Sequence, residues 1–449
     1  MPLKPIPKPS AHKPLFLRKI RIKNVRSFEE VEVELAAGER PRMWGVVLGD
    51  NGVGKTTFLR SIAMGLCDAA SAAGLLREIY GDWNRRPNGQ PIPAEIHLEF
   101  FPDKPQGDAP WITTHIEPSS SGYSQIRQVT HFSGRKSNDF PWDRIFACGY
   151  GAGRRAFGSK DIEDYATIDA VYTLFNYSTV LQNPELVLRR LAQSRHHLRR
   201  ILNSIAQVLM LPRDAINLSV KGLTISGPWG NFHPIGALGD GYQATLAWLT
   251  DLLGWALLYD PEAPLKEVTG IVLIDELEQH LHPRWQKRII GLLRQYLPNV
   301  QFIATTHTPM CAIGTTELSD AECELVILKR DGPDVYLVQD VPPPRRLWAD
   351  QILTSSLFGL STAGDEAVLQ DIKRYAKLNS AVRLTPTQKR ELTKLRSQLS
   401  RELAGSESDL TENVAESLTA HFRQERDAAI VRNPDTLARL KEIRKAYRR

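Results

Sequence analysis

Hydrophobic and polar positions along the chain recur with two different periods. Between residues 15 and 35, apolar positions alternate with polar ones in two runs, which predicts a strand pair with one buried face. Residues 45–48 are apolar and precede a glycine-rich turn and then apolar positions at helical spacing, which predicts strand, loop and helix. Three further alternating runs, AEIHLEFF, PWITTHIEP and QIRQVTHF, predict a small antiparallel sheet inserted after this helix.

The pattern changes to helices and buried strands further along the chain. Helical spacing dominates a lobe of about residues 160–215, and the loop LGDGYQ then opens a long apolar-rich helix. The stretches GIVLIDE and NVQFIATTH are apolar up to polar ends, which is typical of strands buried on both faces of a parallel sheet. We therefore expect the α/β class, with a mixed or parallel sheet flanked by helices.

The chain is expected to divide into three parts. Residues 1–14, rich in proline and lysine, are expected to form a disordered arm. Residues 15–340 carry the alternating strands and helices and form the predicted main domain. After the hinge-like VPPPRR, residues 345–449 have helical patterns only, and we expect this segment to dock a partner.

Composition limits the function classes. The chain has 449 residues, 42% of them hydrophobic, enough to bury at least one large core. No apolar run approaches the roughly 20 residues that cross a bilayer, and no apolar signal core follows the basic start, so we expect a cytoplasmic protein without membrane contact. The four cysteines stand far apart without a CxxC pair, so we expect small buried hydrophobes and no zinc site.

The positive charge is concentrated at the two ends. The formal net charge is +6, with eight lysines and arginines before Glu29 and nine more from Arg423 onwards. Basic ends of this kind contact nucleic acid phosphates in some proteins and are solvated faces in others. Both interpretations stay open at this point, although too few aromatic residues interleave to form a stacking platform for bases.

The turn GDNGVGKT (residues 49–56) has the composition of a phosphate-binding loop. Its glycines let backbone N–H groups approach a β-phosphate, and the following helix adds its positive end. The lysine is expected to reach the β- and γ-phosphates of ATP, and the Thr56 hydroxyl to ligate Mg²⁺. The predicted nucleotide-binding residues of this segment are Asn51, Gly52, Val53, Gly54, Lys55, Thr56 and Thr57.

Two later strand ends carry the groups that ATP hydrolysis needs. Asp275 is predicted to hold the Mg²⁺ water shell opposite Thr56, and Glu276 to accept the proton of the attacking water. His307 follows the next predicted strand and is expected beside the γ-phosphate, because parallel strands deliver their carboxyl ends to one crevice. The enzyme class predicted from these residues is a Mg²⁺-dependent ATPase.

Two aromatic or histidine signals have competing interpretations. Trp44 would flank an adenine or lie in the core beside the predicted strand. His280 and His282, two residues apart in HLHP, suggest a metal, but no third ligand stands at a suitable spacing, so a loop that packs across a dimer partner is the favoured interpretation.

In order and kind, these motifs resemble those of a known family. The phosphate loop, LGDGYQ, LIDELEQHLHP and TTHTP look like the motifs of the ABC-type ATPase heads of SMC proteins, RecF and the overcoming-lysogenization nucleases. With GYGAGRR, LFNYSTVLQNPELVL and ADQILTSSLFGL, the resemblance is closest to the PtuA-like Septu and retron-associated ATPases of bacterial anti-phage defence. It covers about residues 15–360.

The resemblance implies a fold, a partner and further site residues. It implies an ABC-type head with an inserted antiparallel subdomain and a helical lobe. In that class the signature turn of one subunit closes on the nucleotide of a second, so Gly239, Asp240 and Gly241 are expected to bind the ATP of a homodimer partner. This chain has Gly239 where the family usually has serine. GYGAGRR occupies the place of the Q-loop without a glutamine, and either Arg154 or Arg155 serves the nucleotide, or the pair is plain surface.

The function that follows from the resemblance is an ATP-driven dimeric head that controls a separate nuclease, of the HNH type. Two alternatives stay open. One is a RecF-like repair ATPase that binds duplex DNA directly, and the other is a scaffold that binds ATP and hydrolyses it slowly. The tail after residue 345 shows no acidic cluster suited to metal-dependent phosphodiester cleavage, so no nuclease is expected within this segment.

Overall fold

The computed structural model describes most of the chain up to residue 402. The residues described are 14–104, 107–118, 124–133, 140–154, 157–158, 162–193, 198–260, 268–339, 341, 344–345, 349–353, 355, 357–358, 366–379 and 385–402. The predicted arm, the basic C-terminal end and Arg155 therefore lie outside the described residues, apart from Pro14. The chain divides into two compact units, residues 1–345 and residues 346–449.

The secondary structure comprises strands and helices with the following bounds. The strands are β1 Leu17–Val25, β2 Phe28–Glu34, β3 Ala36–Ala37, β4 Arg40–Pro41, β5 Trp44–Leu48, β6 Ala94–Phe100, β7 Trp111–Glu117, β8 Gln125–His131, β9 Ala147–Tyr150, β10 Phe157–Gly158, β11 Leu181–Gln182, β12 Ile216–Ser219, β13 Gly222–Gly227, β14 Gly230–Pro234, β15 Gly270–Ile274, β16 Val300–Thr306, β17 Cys323–Asp331 and β18 Asp334–Val338. The helices are α1 Lys55–Gly65, α2 Ala69–Arg77, α3 Thr167–Val171, α4 Pro184–Gln193, α5 Leu198–Val208, α6 Asp240–Tyr259, α7 Pro283–Tyr296, α8 Pro309–Gly314, α9 Ala349–Leu353, α10 Glu366–Asn379 and α11 Pro386–Glu402.

An 11-stranded mixed sheet organises the first unit. Its order is β8-β7-β6-β1-β2-β18-β17-β5-β16-β15-β9. The five strands β17, β5, β16, β15 and β9 run parallel to one another, and every residue of β5, β15 and β16 is buried. This α/β arrangement is the predicted class. The carboxyl ends of the parallel strands meet at one edge, where a ligand crevice is expected.

The antiparallel strands differ from the prediction in one respect. β6, β7 and β8 form the expected meander, but they do not make a separate small sheet. Strand β6 pairs with β1 over residues Leu17 to Lys23, and the meander thereby continues the main sheet. Strand β1 thus has two antiparallel neighbours, β2 on one edge and β6 on the other.

The helical lobe follows the predicted order. Helices α4 and α5 bury one apolar face each, and β12 and β13 form a hairpin, to which β14 adds a third strand. Helix α6 begins at Asp240, within the predicted LGDGYQ loop, and is buried from Ala244 to Ala256. No described helix is both long enough and apolar enough to cross a lipid bilayer.

The cations of β1 are matched by carboxylates on the neighbouring strands. Arg18 and Arg21 pair with Glu99 and Glu95 of β6, at 2.9 and 3.2 Å. On the other side, two lysine–glutamate pairs join β1 to β2: Lys19–Glu32 at 2.7 Å and Lys23–Glu30 at 3.2 Å. This part of the basic N-terminal segment is therefore a neutralised sheet surface, which favours the solvated-face interpretation for these residues.

Buried groups elsewhere agree with the composition. All four cysteines are buried and free, as predicted. Trp44 is fully buried and stacks on Phe302 with ring centroids 4.5 Å apart, so the core interpretation of this residue is confirmed. In the second unit, helices α10 and α11 pair through Arg374 and Glu391 at 2.9 Å.

Candidate nucleotide-binding and catalytic site

The phosphate loop, residues 49–56, connects β5 to α1 in the predicted way. Gly52 and Gly54 have φ values of 76° and 103°, which only glycine adopts without strain. A Cβ on Gly54 would lie 3.0 Å from the Phe28 ring, so the loop is also packed tightly there. Asn51 and Gly52 are exposed, whereas Val53 and Thr57 are buried. The loop thus presents backbone on one side and anchors itself to the core on the other.

Lys55 lies folded across this loop. Its side chain is buried, and Nζ donates hydrogen bonds to the carbonyl oxygens of Gly49 and Asp50, at 2.7 and 3.0 Å. Burial lowers the pKa of Lys55, and the nearby carboxylates, Glu278 first among them, oppose that shift. The hydrogen bonds described for Nζ go to neutral carbonyl oxygens, and a polyphosphate would offer this buried ammonium anionic acceptors in their place.

Thr56 and Asp275 are in direct contact. The Thr56 hydroxyl donates to Oδ2 of Asp275 at 2.6 Å, although the two residues are 219 positions apart in the sequence. Oδ1 of the same carboxylate accepts from the Thr305 hydroxyl at 2.7 Å. The two predicted metal ligands are therefore brought together. One carboxylate with one hydroxyl is the oxygen donor set with which proteins bind Mg²⁺ alongside phosphate and water.

Glu276 is held by its backbone on both sides. It has a φ of 50°, in the left-handed region that non-glycine residues rarely adopt. Its N–H donates to Thr305 Oγ1 at 2.9 Å, and its carbonyl accepts from Arg154 Nη2 at 2.7 Å. These bonds fix the direction of the Cα–Cβ bond of Glu276. An observed left-handed residue at a candidate active site is itself a functional indication.

Arg154 is a buried residue of this site and not a surface arginine. Nη1 donates to the carbonyls of Gly151 and Asp275, at 3.1 and 2.5 Å, in addition to the Nη2 bond to Glu276. Burial lowers its pKa to about 10, and the three nearby carboxylates oppose the shift. In this structure its guanidinium therefore supports the turn after β15. Arg155 lies outside the described residues.

His307 lies at the end of β16, between the strands that carry the phosphate loop and Asp275. Its backbone N–H and its Nδ1 both contact Oε1 of Glu278, at 2.8 and 2.7 Å. The histidine side chain is 40% exposed, whereas the Glu278 side chain is 3% exposed. His307 is thus at the predicted edge of the sheet and is fixed there by an acid that we did not predict.

The signature turn, residues 238–243, includes the N-terminal end of α6. Gly239 and Asp240 are exposed, and Gly239 is the N-cap of the helix without a side-chain cap. Gly241 packs within the same chain, since a Cβ there would lie 2.3 Å from the His280 carbonyl oxygen. These three residues therefore adjoin the turn that follows β15, and their role toward a second subunit stays a prediction.

Sequence reasoning missed Thr305, Glu278 and Arg330. Arg330, near the end of β17, donates to the carbonyl of Gly52 at 2.9 Å and places a cation at the phosphate loop. One signal was available, because CELVILKR is a buried strand with a basic end and runs parallel to β5. The rule that parallel strands share one ligand edge applies to Arg330 as it does to His307.

The HLHP segment has a structural explanation that needs no metal. His282 is the N-cap of α7, and its Nδ1 accepts from the Arg284 N–H at 3.3 Å. Pro283 occupies the first position of the helix, where its missing N–H is not needed.

Two segments that contribute to this site match known protein families. Residues 198–310 match the family described as "AAA domain, putative AbiEii toxin, Type IV TA system". Residues 19–87 match a second family described as "AAA domain". The second match contains the phosphate loop, and the first contains the signature turn, Asp275, Glu276 and His307.

Comparison with individual proteins finds a Septu protein, a retron ATPase and an SMC head domain. The chain is 28% identical over 391 residues to the Septu protein PtuA of Bacillus mycoides, covering 86% of this chain and 50% of that protein. It is 46% identical over 74 residues to the "Retron Ec83 probable ATPase" of Escherichia coli, covering 16% of this chain and 14% of that protein. It aligns with the SMC head domain from Thermotoga maritima at 16% identity and a TM-score of 0.44, covering 73% of this chain and 99% of that structure.

The chain spans only part of these relatives, about half the length of PtuA. The chain is similar in sequence to the Septu protein PtuA and, over a shorter stretch, to a retron probable ATPase, and two of its segments match AAA-domain families.

Proposed function

We propose that this chain binds and hydrolyses Mg·ATP, acts as a dimer, and controls a separate effector nuclease in anti-phage defence. The observation that carries the proposal is the 2.6 Å contact between Thr56 and Asp275. It joins the phosphate loop to the acidic end of β15, and these are the two protein elements that a magnesium-bound triphosphate requires.

Each residue has a role in the proposed reaction. The loop glycines and Lys55 bind the phosphates, and Thr56 and Asp275 hold Mg²⁺, which when bound neutralises charge on the terminal phosphate. Glu276 accepts a proton from the attacking water, in an orientation set by Thr305 and Arg154. His307 donates a hydrogen bond to the terminal phosphate from the adjacent strand end.

Dimerisation is part of the proposal for a geometric reason. The start of α6 is exposed and uncapped at Gly239, and a helix N-terminus attracts an anion such as a terminal phosphate. The ATP of a second copy is the ligand that the family resemblance implies for this turn. ATP would then join two heads, and hydrolysis would release them.

Nucleotide turnover and thermal unfolding of the purified chain test the ATPase assignment. Mg·ATP at about a hundred times its dissociation constant stabilises a one-site protein by roughly 2.7 kcal/mol, and we expect Lys55→Ala to lose this gain. Lys19→Ala, which breaks only the surface pair with Glu32, is the matched control and should keep it. An undiminished ATP-induced shift in Lys55→Ala would contradict the proposed binding site.

Glu276→Gln tests the general base. The amide keeps the shape of the side chain but cannot take a proton, so we expect ATP to bind normally and turnover to fall by about 10²- to 10⁴-fold. Turnover equal to that of the unchanged chain would remove Glu276 from this role. The slow scaffold alternative predicts instead that the unchanged chain itself binds ATP without measurable turnover.

Reconstitution with a neighbouring gene product tests the effector. We expect an HNH-type nuclease encoded beside this gene to co-purify with the chain, and the mixture to cleave DNA only when the ATPase is intact. The RecF-like alternative predicts that the isolated chain binds duplex DNA, with an affinity that falls steeply as salt rises. That result without a nuclease partner would favour the repair function.

A further inference from the structure

A third carboxylate, Glu278, lies at the candidate site beside the two acids predicted from the sequence. It follows β15 by four residues and is almost completely buried. Oε1 accepts both from the backbone N–H of His307, at 2.8 Å, and from Nδ1 of the same residue, at 2.7 Å. Two contacts from one residue to one oxygen fix the histidine ring as well as its backbone.

The second oxygen of Glu278 makes the residue unusual. Oε2 is buried and has no hydrogen-bond partner within the described part of the chain. A buried carboxylate oxygen without a donor is costly, and such groups in native structures call for an explanation. Among the acids around Lys55, Glu278 contributes most to raising the pKa of that lysine against the effect of burial. Its charge therefore acts on the phosphate loop as well as on His307.

A buried acid elsewhere in the sheet shows what a purely structural role looks like. Glu324, on β17, is also buried, and it pairs with Arg42 at 2.6 Å. Arginine is a permanent cation, which satisfies a buried carboxylate at all times. Glu278 is instead paired with a half-exposed histidine at the ligand edge. This pairing is the arrangement by which a carboxylate sets the tautomer and orientation of a functional imidazole.

We propose that Glu278 is a positioning residue that holds the proton of His307 on Nδ1 and leaves Nε2 to face the terminal phosphate of bound ATP. The proposal rests on the ATPase function proposed above. With Nδ1 engaged by the carboxylate, Nε2 is the ring nitrogen available to a ligand. Glu278 acts through His307 and does not itself contact the substrate.

Histidine ¹⁵N NMR of the full chain shows which ring nitrogen of His307 carries the proton, and it does not require turnover. The chain has 11 histidines, and loss of one signal pair in His307→Gln assigns the ring. We expect a proton on Nδ1 in the unchanged chain. The proton should remain there in Glu278→Gln, whose amide oxygen still accepts, and should move to Nε2 in Glu278→Ala. A proton that remains on Nδ1 in Glu278→Ala would overturn the proposal.

Turnover kinetics of Glu278 variants provide a second test of the proposal. We expect Glu278→Ala to lower kcat roughly 10- to 100-fold, as for other residues that orient a functional histidine, with little change in the KM for ATP. The kcat of Glu278→Gln should lie between those of the unchanged chain and Glu278→Ala. This variant also keeps the proposal testable if Glu278→Ala does not fold. Glu324→Gln, a buried acid paired with Arg42, is the matched control and should keep its kcat.

A double substitution decides whether the two residues act as one unit. If Glu278 acts through His307, the variant carrying both Glu278→Ala and His307→Ala should be no slower than His307→Ala alone. Multiplying defects would overturn the proposal. Failure of the ATPase function itself would appear differently, as no turnover in the unchanged chain, and the NMR result would still decide the position of the ring proton.

Discussion

The phosphate loop and the signature turn are both glycine turns that open a helix, but their surroundings differ. In the phosphate loop, Gly54 is left-handed and packs against Phe28, and Lys55 is buried. In the signature turn, Gly239 has an ordinary φ of −63°, and an added Cβ would meet nothing within 4 Å. The phosphate loop is packed at Gly54, whereas the signature turn is packed at Gly241 but open at Gly239. The two turns therefore differ in how much space they leave for a ligand.

Gly54→Ala should give the largest loss of turnover, because it disturbs the tightly packed phosphate loop. An alanine there is strained by its φ of 103° and also lies 3.0 Å from Phe28. Backbone strain of about 1–2 kcal/mol would be relieved by moving the loop, and a displacement of about 1 Å costs roughly 10²-fold in rate. Turnover assays should show that loss. Gly38→Ala, with a φ of 65° and open space around it, is the control and should keep its turnover.

Gly241→Ala should come second, because it disturbs only the contact of the signature turn with its own chain. The added Cβ would lie 2.3 Å from the His280 carbonyl oxygen, and overpacking of this kind costs about 1–3 kcal/mol of unfolding free energy. We expect turnover to fall about tenfold while a nucleotide titration shows unchanged ATP binding, since the phosphate loop is intact. Gly236→Ala has open space; an equal loss there would show that the effect is not specific to the His280 contact.

The attachment of α6 to the sheet depends on a buried acid and should respond to pH. Asp251 accepts from the Tyr150 hydroxyl at 3.0 Å and from the Gln182 N–H at 2.9 Å, and burial raises its pKa to about 6. The raised pKa means that the protonated form favours folding, so this contribution is present below about pH 4 and is lost as pH rises through about 6.

Asp251→Asn should remove that pH dependence. Relative to this variant, the unchanged chain should lose on the order of 2 to 3 kcal/mol of unfolding free energy between pH 4 and pH 8. Denaturant unfolding of both proteins across this range measures the difference. Parallel pH profiles for the two proteins would show that Asp251 does not titrate in this way.

Gly239→Ser should give the smallest effect on stability. The φ and ψ of Gly239, −63° and 151°, are those of an N-cap, where serine fits without strain. We expect the free energy of unfolding to rise by a few tenths of a kcal/mol. The added hydroxyl should also strengthen ATP-dependent dimerisation, measured by sedimentation with an ATP analogue that is not hydrolysed. Gly239→Ala has no hydroxyl, and an equal gain in dimerisation there would exclude the hydrogen bond as its cause.

Local patterns predicted the elements but not all of the contacts. The continuously apolar strands β5, β15 and β16 were recognisable because burial on both faces leaves no polar position. The polar residues at their ends were recognisable because parallel strands share a ligand edge. Glu278 and Thr305 were missed because their roles depend on β16 lying between β5 and β15, a strand order that no local pattern specifies.

The same limit explains the correction to the antiparallel strands. The alternation of β6, β7 and β8 specifies strands with one buried face, but it does not specify the neighbour on the open side. Pairing of β6 with β1 is reinforced by Arg18–Glu99 and Arg21–Glu95, residues 81 and 74 positions apart in the sequence. Contacts over such distances are visible only in the folded chain.

The aromatic residues around the signature turn make its surroundings measurable by tryptophan fluorescence. Trp229, which is 39% exposed, meets Tyr242 edge-on with ring centroids 4.8 Å apart, and Tyr242 in turn contacts Trp285 of α7 at 5.2 Å. The proposal that another subunit covers this turn predicts that the Trp229 indole loses contact with water, while Trp285 is already buried. The emission of Trp229 should therefore shift to shorter wavelength on closure, and Trp229→Phe should abolish the shift while leaving the assembly itself visible by light scattering.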